Sequence, residues 1–86
     1  MMWRDKSSRH DDGRIWELKL PNLKVCVHRH IYYDKNTWLL TCGELDIIGR
    51  VLTSNALREA QVEGLKLVQA KINKYRLDID KELGKI

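Results

Sequence analysis

Residues 14–28 read RIWELKLPNLKVCVH, and this stretch decides the fold. Trp16, Leu18 and Leu20 alternate with Glu17 and Lys19. That two-residue period belongs to a strand with one face buried. Pro21-Asn22 then signals a turn, because proline presets φ at the first corner and asparagine tolerates the second. Pairing Leu20 with Leu23 across the turn sets Leu18 opposite Val25 and Trp16 opposite Val27. The large apolar side chains then share one face, as a sheet covered on one side requires.

Working outward toward the C-terminus, Leu23 to Tyr33 is rich in β-branched and aromatic residues and reads as a second strand. Asp34-Lys35-Asn36 reads as a second turn, and Thr37 to Cys42 as a third strand closed by Gly43. Pairing Tyr33 with Trp38 sets Ile31 opposite Leu40 and Arg29 opposite Cys42. Two separate turns thus predict one apolar face and a three-stranded antiparallel meander. Leu45 to Leu52 reads as an apolar, irregular link.

Thr53-Ser54-Asn55 supplies candidate helix caps, and a helical pattern starts at Ala56. Leu57, Ala60, Gly64, Leu67, Val68 and Tyr75 recur at three- and four-residue spacing. Val62, Leu65 and Ile72 widen that arc, and Glu59, Glu63, Lys66, Asn73 and Lys74 occupy the other side. The pattern predicts helix to about residue 75. Beyond it, Tyr75, Leu77 and Ile79 also alternate with Arg76, Asp78 and Asp80. A fourth strand and a helix continuing to Leu83 both fit there.

Toward the N-terminus, residues 1–13 are polar, with balanced charges and one aromatic, Trp3. They read as a flexible tail ahead of a single domain over residues 14–86. The expected core is Trp16, Leu18, Val25, Val27, Ile31, Trp38, Leu40, Leu57, Ala60, Leu67 and Val68.

Eighty-six residues allow one domain with a narrow stability margin. The formal net charge is +4 with 33% charged residues, well below the basic density of a dedicated nucleic-acid arm. The two cysteines, Cys26 and Cys42, are too few for a secreted disulfide scaffold. Neither a signal-peptide pattern nor a run of membrane-spanning length is visible. These features predict a cytoplasmic protein with reduced thiols.

Cys26, His28 and His30 alternate along the second strand and so share a face. Thiolate and imidazole bind zinc. But neighbours two apart on a strand sit nearly 7 Å from each other, too far for a compact tetrahedral set, and Cys42 points to the opposite face. A Cys-His pair for nucleophilic catalysis would also need a cleft, which so small a meander lacks. No phosphate-binding glycine loop, H-E-x-x-H motif or paired carboxylates are present. No metal, cofactor or enzymatic activity is expected.

Two binding readings remain. Lys24, His28, Arg29, His30 and Tyr32 mix basic and aromatic side chains on one strand, a combination that holds phosphates and stacks bases. Alternatively, the helical arc is broader than a three-stranded sheet can cover. A helix from Ala56 to Leu83 would run ~40 Å and outreach strands of ~20–23 Å. Leu65, Ile72, Ile79 and Leu83 would then be uncovered, and such surface marks a protein interface. A second copy of the chain would cover it, and so would the apolar link Leu45 to Leu52 folded back over the helix.

The stretch from Leu52 to Val68 reads L-x-S-x-A-L-x-E-A-x-x-x-G-L-x-L-V. Through Leu52, Ser54, Leu57, Glu59, Ala60, Gly64 and Val68, it resembles the HicB-type antitoxin domain, a small β-meander followed by a helix. The family's Pro-x-x-x-Gly-Cys turn has no counterpart here. Trp38 to Ile47, W-x-L-T-C-x-x-L-x-I, is similar to small phage and prophage proteins. Both resemblances imply a compact, non-enzymatic regulator or inhibitor of phage or mobile-element type that acts by binding another protein. The expected architecture is α+β: a three-stranded antiparallel meander with a long amphipathic helix packed on one face.

Overall fold

The computed structural model describes residues 2–7, 15–30, 33 and 36–86. Among these residues it is α+β, with five strands in one antiparallel sheet and a single long C-terminal helix. The strands are β1 (Arg4–Asp5), β2 (Ile15–Lys19), β3 (Lys24–His28), β4 (Leu39–Cys42) and β5 (Ile47–Val51), in that spatial order. A short 3₁₀ turn at Gly43–Leu45 joins β4 to β5, and helix α1 spans Leu57–Leu83.

The first hairpin has the register its apolar pattern dictates. Trp16 faces Val27, Leu18 faces Val25, and the Leu20 N–H donates to the Leu23 carbonyl at 2.8 Å. The second hairpin differs from the expected one. Leu40 faces Val27 rather than Ile31, because β3 ends at His28 and β4 begins only at Leu39. The strand therefore slips by four residues relative to a tight turn at Asp34–Asn36. An even slip keeps every side chain on its expected face, so Val25, Val27 and Leu40 still point together into the core, each fully buried.

Two strands replace segments read as irregular. Within the expected tail, Arg4 and Asp5 pair with Glu17 and Trp16, and Trp3 packs partly against the core. Within the expected link, Ile47–Val51 forms the far edge of the sheet. Its pairing shifts between Leu40↔Arg50 and Cys42↔Ile47, a β-bulge. Gly49 sits in the bulge at φ +59°, a left-handed conformation open to glycine at no steric cost. Ile31 and Tyr32, with most of the expected second turn, lie outside the described residues.

The C-terminal segment is helix through Leu83. Its buried residues are Ala60, Gly64 and Val68. A Cβ on Gly64 would stand 3.2 Å from Leu40 Cδ1 and 3.3 Å from Val27 Cγ2, so the helix backbone comes close to the centre of the sheet there. No side chain caps the helix start. Instead the Glu63 carboxylate, two turns in, accepts the Thr53 and Ser54 N–H groups at 2.9–3.0 Å and holds the incoming chain.

The core gathers Leu18, Val25, Val27, Trp38, Leu40, Ala60 and Val68, as the periodicity predicts, together with Cys42, Leu45, Ile47 and Leu52. Trp16, Leu57 and Leu67 line it only partly. Trp38 closes one end: its Nε1–H donates to the Asn55 carbonyl at 2.9 Å, and the Arg29 guanidinium lies over its ring at 4.8 Å.

Candidate interaction surfaces

Helix α1 is 27 residues long, or ~40 Å at 1.5 Å per residue. A five-residue strand spans only ~16 Å. Among the described residues, the last hydrogen bond tying the helix to the rest of the fold runs from the Tyr75 hydroxyl to the Leu45 carbonyl, at 3.1 Å. Past that point Leu77, Ile79 and Leu83 are 54%, 60% and 61% exposed. Of the three expected interface residues, Ile72 and Ile79 are exposed, while Leu65 is half-buried and packs against the core. Leu65, Ile72 and Ile79 recur every seven residues, so they align in one narrow seam along the helix.

The sheet face away from the helix holds a different set. Glu17, Cys26 and Thr41 form one ladder row, and Ile15, His28, Leu39 and Val51 the next. His28 Nε2 is 2.8 Å from Thr41 Oγ1, which also accepts the Gly49 N–H at 3.0 Å. Burial pushes the His28 pKa down, against the upward pull of a hydrogen bond to the Arg29 backbone. A neutral imidazole that accepts the Thr41 hydroxyl proton satisfies all of these groups. The Thr41 hydroxyl thus ties β3, β4 and the bulge of β5 together.

The residues read as a nucleic-acid face divide. Lys24 and His30 are exposed, His28 is half-buried in the bond just described, and Tyr32 is outside the described residues. Arg29 packs over Trp38 at the end of the core. Cys26 and Cys42 fall on opposite faces of the sheet, and burial raises the pKa of both thiols. Among the described residues, no three His, Cys, Asp or Glu side chains converge to hold a metal ion. None of the described helices is long and apolar enough to cross a membrane.

A further feature escaped the sequence reading. The edge of β5 and the flank of α1 enclose an open groove of about 460 Å³, with Arg50, Lys71 and Lys74 among its lining residues. Their placement depends on β5, whose bulge hides it from any two-residue period. No family model matches the chain, and neither does any curated protein or solved structure.

Proposed function

We propose that this chain is a small non-enzymatic binding protein, of the phage or mobile-element regulatory type its resemblances imply, and that it works through the seam of its helix. The carrying observation is that α1 outruns the sheet while its apolar seam continues: Ile72, Ile79 and Leu83 are 42%, 60% and 61% exposed. Apolar side chains at seven-residue intervals fit another helix better than they fit a flat surface. A second copy supplies such a helix, and twofold pairing would cover both seams at once.

Sedimentation equilibrium tests this. The wild type is expected to dimerise at micromolar concentration. The Ile72→Glu/Ile79→Glu variant is expected to remain folded and become monomeric, since neither residue belongs to the core. A wild type that stays monomeric into the high micromolar range would overturn the pairing. The nucleic-acid reading has less support, because Arg29 packs on Trp38 instead of sharing a surface with Lys24 and His30.

A further inference from the structure

Strand β5 is an edge of the sheet, so its outward backbone N–H and C=O groups have no strand beside them among the described residues. Such an edge is a template for another strand. The usual guards are charge, proline and bulges. Here the strand reads IIGRV, with a bulge at Gly49 and a single charge, Arg50. The extra residue of the bulge puts Ile47 and Arg50, paired with Cys42 and Leu40, both on the helix side. Ile48 remains 71% exposed at the rim of the groove.

The groove beside this edge combines two chemistries. Ile47, Leu67 and Ala70 contribute apolar lining, and Arg50, Lys71 and Lys74 contribute three positive charges against the single negative charge of Asp46. Neither Arg50 nor Lys74 lies within ion-pair distance of an acid among the described residues, and Lys71 instead lies 5.6 Å from the Tyr75 ring centroid. Excess positive charge beside a vacant edge argues against self-pairing. A second copy placed across β5 would double the three cations around the twofold axis, and like charges brought together are destabilising. A nucleic acid would find phosphate contacts, but none of the lining residues is aromatic and able to stack a base.

We propose that the β5 edge and its groove accept an extended peptide segment, from another protein, whose groove-facing positions, two residues apart, hold both apolar and acidic side chains. The segment would add as a sixth strand by main-chain hydrogen bonds, as edge-strand ligands do. The two-residue period of a strand would direct every second side chain to the helix side, where apolar ones would meet the Ile47–Leu67–Ala70 lining and carboxylates would meet Arg50 and Lys74. This surface is separate from the helix seam. At 100° per residue, Leu67 and Lys74 lie well over 90° around the helix from Ile72 and Ile79.

Panning a random dodecapeptide phage library against the full chain tests the proposal. Enriched peptides are expected to carry apolar and acidic residues two positions apart and to shift backbone amide resonances of residues 47–51. Arg50→Glu and Lys74→Glu are each expected to weaken the best peptide at least about tenfold with an unchanged melting temperature, because both side chains are exposed. Ile72→Glu/Ile79→Glu is expected to bind it normally, so this result stands or falls separately from the helix seam. No enrichment, enrichment of peptides without acidic residues, or equal binding by the charge variants would overturn the proposal. So would an oligothymidylate whose binding Arg50→Glu abolishes, or a change in oligomeric state caused by Arg50→Glu, since these would give the groove to a nucleic acid or to a second copy.

Discussion

Thr41 joins three strands through one hydroxyl, and its partner on β3, His28, makes the joint sensitive to acid. The folded pKa of His28 lies below the ordinary value because burial disfavours the imidazolium. The unfolded chain, titrating near ~6.5, therefore takes up the proton first. The stabilisation is complete above ~6.5 and is lost as pH falls from there through the lower folded value. Thermal melts between pH 8 and pH 5 should show the wild type losing stability below about 6.5, with His28→Asn flattening that decline. The net downward shift of Glu63, where the Thr53 and Ser54 N–H groups overcome the upward pull of burial, acts in a separate, more acidic window. Gly64 carries a different constraint. Gly64→Leu would drive a side chain into Leu40 and Val27, already 3.2–3.3 Å from the position of a Cβ. A loss of ~1–3 kcal/mol in denaturant unfolding is expected. At this scale the sequence was readable wherever a period existed: Leu18, Val25, Val27 and Leu40 are each at most 1% exposed. Leu45, Ile47 and Leu52 were not identified as core, because a 3₁₀ turn and a bulge separate them and erase the alternation.

Among the elements, the first hairpin was legible to the residue, since Pro21-Asn22 leaves only one register that buries Trp16 and Leu18 with Val25 and Val27. The second hairpin was legible by face but not by register. A face depends on the parity of the pairing, whereas a register depends on loop length, which composition does not encode. Strand β1 carries two residues and no period of any kind. The helix was legible because its pattern is long, and its end was ambiguous because Tyr75 to Asp80 satisfies both periods. The structure resolves that ambiguity as helix. The last turns then stand outside the packed fold, which leads to an element-scale expectation. A chain ending after Arg76 keeps the Tyr75–Leu45 bond and should lose no more than about 0.5–1 kcal/mol, as for other changes at exposed positions. The same truncation should abolish self-association in the ultracentrifuge. A large drop in stability without a change in oligomeric state would show that the projecting turns serve the fold and not an interface.

Across the whole molecule, the dimensions are 54 × 25 × 19 Å. The long axis reflects a helix ~40 Å in length set on strands of five residues or fewer. The α+β class followed from the switch between a two-residue and a helical period, but the two edge strands did not. The helix seam, one of the two surfaces proposed for binding, was visible in the sequence. The β5 groove was not, because it exists only where a strand edge and a helix flank meet. The Tyr75–Leu45 bond also divides the helix into parts with different lifetimes. Amides around Ala60, Gly64 and Val68, buried against the sheet, should exchange with deuterium only through global unfolding. Those from Leu77 to Leu83 should exchange through local fraying, orders of magnitude sooner. Tyr75 would then stand at the boundary between two clocks on one continuous helix. A partner that engages the projecting turns would be recognised by the slowing of the fast one alone.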